Sequence, residues 1–499
     1  MKAVLTNLSG VKEVDGGIVH HVKAGSRWPM TVGYTKAVDY YPFPFYLAYS
    51  AALLKRDIKE IEVTGVDGVV NDYTSGELFS ELVKIGIGKE DILIVEVTLI
   101  TLKDDLAFLE KVKEEFKCVI ILCGVYASIF RDAVLKDNSF IDYAIYGEYE
   151  LSLKLLVQRL VEGRADSLNN IEGLITRGDD GGVKSHSQMA KITDLAELPF
   201  PDRNIFPPAL YADFSFHSPC VAITATRGCP AGCIYCVERH AIYNSPRYRM
   251  RPYKDVVDEM EHCIEKYGAK QFYFDDMSFV VNKKYVKNIC NEILKRKMNI
   301  PWTCMGDAMF VDYDTLEVMA KAGCIGMKFG VESADEKILE RIGKPLNLDK
   351  ARQVVKWCQR LGIFTHATFC LGLPGETETT IRKTVRFIKT LKADTAQVSK
   401  AVPYPGTPMY EWAKKEGYIV TDDLESYDGS LKSVLSYPQL TGDKIDQWYG
   451  LISKKLARNK IYAYLKRPMS AFQILYGLYK EKGLTKTVQA LSALFFRAV

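Results

Sequence analysis

The chain has no run of about 18 apolar residues, so no membrane-spanning helix is expected. It has no block of lysines and arginines. A net charge of +4 over 499 residues gives no case for a nucleic-acid partner. The opening MKAVLTNLSG lacks a basic segment leading into an apolar stretch, so no signal peptide is expected and the location is read as cytoplasmic. The twelve cysteines do not form a disulfide framework. Most stand singly in apolar contexts, as Cys118, Cys123, Cys290 and Cys370 do, and read as reduced thiols.

What is present is apolar material, 47% of the chain, enough for roughly two to four domains. In the first third, AVLTN, IKEIEVT, DILIVEV, CVIILCG and DYAIYG read as buried strands, and segments of helical spacing separate them. That alternation predicts an α/β domain of flavodoxin-like, Rossmann type over residues 1–165, its ligand beyond the carboxyl ends of the strands. Residues 166–214 are rich in polar residues, glycine and proline, and read as a β-rich excursion and linker. Over 215–416 six further strand–helix units follow, too few to close an eight-fold barrel. They predict a partial, TIM-like barrel with its site at the C-terminal strand ends. Residues 417–499 read as a C-terminal helical domain. Its amphipathic tail is either a packed helix or a peripheral membrane contact.

The segment TRGCPAGCIYC places Cys229, Cys233 and Cys236 directly after the first barrel strand. Three cysteines cannot pair off, and a mononuclear site normally wants a fourth ligand. A 4Fe–4S cluster that leaves one iron open needs only three, and CxxxCxxC lets one loop wrap three corners. Gly228 and Gly232 free the backbone to do so.

With its position after strand one and the aromatic before its last cysteine, this segment resembles the radical S-adenosylmethionine (SAM) enzymes. The resemblance covers about residues 215–416. It implies that the open iron chelates SAM and that an electron from the cluster releases a 5′-deoxyadenosyl radical. It further implies Tyr235 near the adenine, Asp275 and Asp276 near the methionyl amine, and Glu332 and Ser333 of GVES near ribose and carboxylate. Gly372 of CLGLPGET would let the backbone approach the adenosine. Cys220, Cys324, His217 and His240 lie near the cluster loop by strand order.

YPFPFYLAYSAALLK, CGVYASIF, YGEYELSLKLL and PFPDRNIFP together resemble the cobalamin-binding subclass of that family. Thr98, Gly124, Tyr126, Gly147 and Glu148, at strand ends, are the corrin-contact candidates it implies. The DxHxxG motif of some cobalamin proteins is missing; His20 and His21 lack its spacing and read as loop residues, so cobalt without a histidine ligand is expected. AGSRWP, read as part of a loop over 22–33, resembles a segment of radical enzymes of hopanoid and related lipid chemistry. Its Arg27 is a candidate for an anionic group.

The resemblance implies a cobalamin-dependent methyltransferase acting on an unactivated carbon through the 5′-deoxyadenosyl radical and methylcobalamin. The alternative is a ring-forming, ring-contracting or carbon–carbon bond-forming enzyme on a lipid or tetrapyrrole, and a non-catalytic iron–sulfur carrier is a more distant one. The expected partners are a small-molecule or lipid substrate and an electron donor such as flavodoxin or ferredoxin.

Overall fold

The computed structural model describes residues 1–14, 17–24, 27–33, 40–164, 168–178, 180–344 and 346–465. The tail read as a packed or membrane-contacting helix lies outside the described residues.

The first sheet is built as the alternation predicts. Its parallel strands are β1 (Lys2–Asn7), β5 (Glu62–Asp67), β6 (Ile92–Glu96), β7 (Val119–Cys123) and β8 (Tyr143–Ile145), in the order β5–β1–β6–β7–β8. This is the flavodoxin-like order, whose reversal of direction beside the first strand leaves a crevice at the carboxyl edge. The polar excursion adds two antiparallel edge strands, β9 (Leu174–Arg177) and β10 (Val183–Ser185), to the same sheet. Between β1 and the first helix lies a separate antiparallel sheet of β2 (Val11–Val14), β3 (Gly17–Ala24) and β4 (Arg27–Gly33). Residues expected to form a loop, His20 and His21 among them, are therefore strand residues. Each of these strands mixes polar with apolar residues, so its period-2 signal is weak.

The second sheet is wholly parallel: β11 (Cys220–Ile223), β14 (Gln271–Phe274), β15 (Trp302–Gly306), β16 (Cys324–Glu332), β17 (Phe364–Leu371) and β18 (Thr395–Lys400) run in chain order. A small ladder of β12 (Thr226–Arg227) and β13 (Arg249–Met250) brackets the cysteine loop. β11 and β18 are edges, so the barrel is open, as six units predict. Cys220 and Cys324 open β11 and β16 and so lie at the end away from the cysteine loop. Residues 418–441 are largely irregular, contrary to the helical reading, and the helix Gly442–Leu465 follows and packs on β18. Among the described residues no helix is long and apolar enough to cross a membrane.

The helix Phe45–Asp57 joins the two halves. Its first nine residues are apolar or small, and eight of its first nine are buried with no polar face left over. One side lies on the first sheet's core. Toward the barrel, the Tyr46 hydroxyl lies 2.9 Å from that of Tyr243, and Tyr49 3.0 Å from Thr224 Oγ1.

Candidate functional site

The cysteine loop leaves β12 through Gly228, whose φ of +91° is the left-handed region that glycine tolerates. A Cβ there would also lie 2.0 Å from the Arg247 carbonyl oxygen. Cys229, Cys233 and Cys236 are free and half-buried on this one loop. The Cys229 sulfur accepts from the Ala231 N–H, and the Cys236 sulfur from the Arg239 N–H. Burial raises all three thiols, Cys233 to about 11. Thiols held this way keep their protons unless a cation is brought to them. Among the described residues no three His, Cys, Asp or Glu side chains converge on a single metal ion. Three sulfurs spread around one loop, with N–H groups already directed at two of them, fit the corners of a cluster better than a mononuclear zinc site. A short π-helix, Glu238–Ile242, follows the last cysteine, a form frequent at functional sites. His240 Nε2 lies 3.1 Å from the Cys233 carbonyl oxygen.

The rest of the site comes from strand ends. Glu332, the last residue of β16, has a φ of +67°, costly for a residue with a Cβ. The β16–β17 register shifts between Gly330 and Glu332, a bulge that re-aims the side chain. Gly330 makes room for it, since a Cβ there would lie 2.0 Å from Glu332 Oε1. Glu332 meets Lys344 at 3.5 Å, and Lys344 meets Asp307 at 3.0 Å. Burial raises the Glu332 carboxyl, while Lys344 and the Tyr235 hydroxyl pull it back. Burial alone would lower Lys344, but the charges of Asp307 and Glu332 hold it above its ordinary value. Tyr235 and Cys233 feel the same group, so cysteine loop and strand ends form one electrostatic unit. Asp307 and Lys344 went unnoticed in the sequence; Asp307 stood in the WTCMGD strand, but Lys344 sits in IGKPL with no pattern around it.

The other candidates fall in different places. Asp276 Oδ1 accepts from the Ala225 and Thr226 N–H groups and the Thr226 hydroxyl, which ties β14 to the cysteine loop. Asp275 is buried at the same strand end. Ser333 is fully buried and accepts from the Asp335 N–H. Gly372 gives its N–H to Glu376 and its carbonyl to the Tyr437 hydroxyl at 2.7 Å, and a Cβ would lie 3.0 Å from Ile445. Its backbone thus ties the segment before the helix Gly442–Leu465 to the barrel. His217 precedes β11, where its N–H donates to Gln271.

In the first domain the carboxyl edge carries a polar row. Asp67, Asn7, Glu96 and Cys123 are in register across β5, β1, β6 and β7. Both Glu96 oxygens are buried with no well-formed hydrogen bond; the Tyr149 hydroxyl is the polar group that comes near. Burial pushes its pKa up to about 8. Asn7 Oδ1 and Glu150 Oε2 are also buried without a hydrogen bond. Gly124, at a φ of +93°, sits over Glu96, and a Cβ there would be 3.6 Å from Oε1. This concentration of unsatisfied acceptors at the edge where such sheets bind ligands fits a large amide-bearing group such as a corrin.

The remaining corrin candidates have other neighbours. Thr98 is fully buried, 3.4 Å from the Thr101 hydroxyl. That hydroxyl accepts from Lys23 of β3 at 2.6 Å, and Lys23 also pairs with Asp105. The small sheet therefore covers this end of β6. Tyr126 packs on Phe130, centroids 5.1 Å apart, in the core on the opposite face. Gly147 bridges to Ala190. Glu148 reaches the other domain: it pairs with Arg227 at 3.2 Å and with Arg249 at 2.5 Å. Glu150 takes the other Arg227 nitrogen at 2.5 Å. Arg227 also lies over the rings of Tyr46 and Tyr49, at 4.9 and 5.4 Å. Arg227 and Arg249 are opposite each other in the β12–β13 ladder, so two glutamates of the first domain grip both strands flanking the cysteine loop. Of AGSRWP, Gly25 and Ser26 lie outside the described residues, as does the Arg27 side chain.

Residues 223–388 match the family described as the Radical SAM superfamily. An uncharacterized methyltransferase of Pyrococcus horikoshii is 27% identical over 460 residues, 91% of this chain and 94% of that protein. An anaerobic magnesium-protoporphyrin IX monomethyl ester cyclase of Rubrivivax gelatinosus is 26% identical over 378 residues, 74% of this chain and 66% of that protein. Among solved structures, the cobalamin-dependent S-adenosylmethionine radical enzyme OxsB, with aqua-cobalamin and S-adenosylmethionine bound, superposes with a TM-score of 0.70. It is 15% identical, with 99% of this chain and 75% of that chain covered. At that identity the likeness establishes a shared fold.

Proposed function

Because the chain carries a radical SAM domain behind a Rossmann-like one, we propose that it is a cobalamin-dependent radical SAM methyltransferase acting on an unactivated carbon of a small molecule. The observation that carries this reading is the cysteine loop: three half-buried thiols, with Tyr235, Glu332 and Lys344 beside Cys233, gripped by the domain in front. When bound, the cluster supplies the electron that cleaves SAM to a 5′-deoxyadenosyl radical, and cobalamin supplies the methyl group.

The chain's own residues hold and shield. Cys229, Cys233 and Cys236 are the proposed cluster ligands. Glu332 accepts from the hydroxyls or ammonium of SAM, and Lys344 faces its carboxylate, with Asp307 fixing the ammonium in place. Asp276 keeps the loop in register with β14. Gly124 and the polar row Asn7–Glu96 face the corrin side chains. The Tyr46–Tyr243 and Tyr49–Thr224 contacts close the seam between domains and exclude water from it.

The proposed division of the chain keeps 1–165, 166–214, 215–416 and 417–499, with the second segment lending β9 and β10 to the first sheet. The second reading is a ring-forming, ring-contracting or carbon–carbon bond-forming reaction on a lipid or tetrapyrrole, and similarity to the Rubrivivax cyclase favours ring formation within it. Turnover of anaerobically purified, reconstituted protein with methyl-labelled SAM decides between them. Methylation puts label in the product alongside 5′-deoxyadenosine, and cyclisation gives 5′-deoxyadenosine with unlabelled product. Failure to retain iron and cobalt refutes both.

A further inference from the structure

Resting on the reading above, which requires an electron to reach the cluster, we propose that a groove on the outer barrel wall docks an acidic one-electron carrier protein. The groove, about 880 Å³, runs along the helix Leu348–Arg360. Ala351, Val354, Val355 and Cys358 of that helix face the core, and its outer face carries charge. Four of the nine lining residues are basic, Lys350, Arg352, Lys356 and Arg360, and one is acidic, Asp349. Lys356 and Arg360 are exposed and make no ion pair among the described residues. Lys350 lies 4.4 Å over the ring of Trp357, which with Met309 gives the groove an apolar floor.

The chain as a whole is nearly neutral, at +4, so this is a local concentration of positive charge. It draws a carrier whose rim is acidic and whose centre is apolar.

Its position suits electron delivery. Asn347, just before the helix, and Met309 line the groove. The strand of chain just before Asn347 lies on the cysteine loop: Ile234 N–H donates to the Ile342 carbonyl at 3.0 Å, and a Cβ on Gly343 would be 2.3 Å from the Gly232 oxygen. Met309 follows Asp307, the partner of Lys344. A carrier seated against Asn347 and Met309 therefore rests beside the segment that touches the loop. The step is a single electron transfer, in which the reduced carrier loses one electron and the oxidised cluster gains it. No bond forms in the groove.

The test compares two electron sources on the reconstituted holoenzyme, with K356E/R360E as the variant because neither side chain holds the fold. Reduced flavodoxin, an acidic carrier, and dithionite are supplied in parallel. The flavodoxin-driven rate of 5′-deoxyadenosine formation should fall about tenfold or more and lose its salt sensitivity. The dithionite-driven rate should match that of the unaltered protein. Calorimetric affinity for flavodoxin, which needs no turnover, should weaken about tenfold. An unchanged flavodoxin rate and affinity would overturn the proposal. So would an equal loss with both reductants, or displacement of flavodoxin by tRNA, which would make the groove a polyanion site. If the unaltered protein fails with dithionite, the methyltransferase reading falls, while the affinity measurement still decides the groove.

Discussion

Replacing Glu96 by glutamine should make the protein more stable, by an amount that grows with pH. Glu96 is in phase with Ile92 and Ile94 on the buried face of β6, and its carboxyl rises from an ordinary 4.5 to about 8 because burial removes water from the charged form. A raised acid binds its proton more tightly in the folded chain than in the unfolded one. Its contribution is therefore intact below pH 4.5 and is lost as pH rises toward 8. Each pH unit in that window costs about 1.4 kcal/mol. At pH 7 the loss is about 3 kcal/mol, a large share of an ordinary domain's stability. The glutamine side chain carries no charge at any pH, and its amide can donate to Asn7 Oδ1, the orphaned acceptor on the neighbouring strand. Urea unfolding followed by circular dichroism, at steps between pH 4.5 and 8, gives the difference directly. The two proteins should agree at the acid end and diverge steadily upward. A difference that stays constant across the window would show that Glu96 does not carry a raised pKa, and the polar row would lose its meaning as a ligand edge.

Arg227→Ala should cost about 3–5 kcal/mol, because Glu150 would be left buried without its cation and Glu148 with Arg249 alone. Arg227→Lys should recover only part of it, since an ammonium cannot reach both carboxylates as the fork does; urea midpoints and iron content per chain would show both effects. Gly330→Ala puts a methyl 2.0 Å from Glu332 Oε1, so it should weaken SAM binding in calorimetry while far-ultraviolet circular dichroism stays unchanged. Lys344→Met leaves Asp307 and Glu332 without a cation between them. It should lower SAM affinity by about tenfold or more at neutral pH, and part of the loss should return in more acidic buffer as the Glu332 carboxyl, raised by burial, takes up its proton.

Both sheets were legible because short apolar runs alternating with amphipathic helices have one good solution, a parallel sheet with helices on its faces. The cysteine loop and Glu332 were legible because their chemistry is local, in TRGCPAGCIYC and GVES. Glu148 was harder. An acidic residue after a glycine at a strand end looks the same in sequence whether it faces a ligand or the arginine of another domain. The fold decided for the arginine, and Arg227 itself was hidden beside the cysteines. Lys344 gained its place from the backbone contact of Gly343 with Gly232, more than a hundred residues earlier in the chain, and no spacing rule reports such a contact. Glu96 left a signal that could have been used: a carboxylate in phase with two buried isoleucines is a buried charge, and a buried charge needs a reason.

The ion pairs between the domains supply a reason for the way the two halves are joined. An apolar seam would be at least as stable as buried arginine–glutamate pairs, and it would tolerate small sliding. A guanidinium shared between two carboxylates does not slide, because its nitrogens reach both oxygens in one orientation only. Here that fork holds Arg227, the residue before Gly228 and Cys229, and the partner strand is held by Arg249. The cysteine loop is thereby positioned by the domain in front as well as by its own barrel. A reaction in which a radical made at one site must meet a methyl group held at another depends on sub-ångström placement of both. On the proposed function, the acids of YGEYE meet that requirement by fixing the distance between the two proposed binding edges, which gives a reason for burying them where hydrophobic residues would have sufficed for folding.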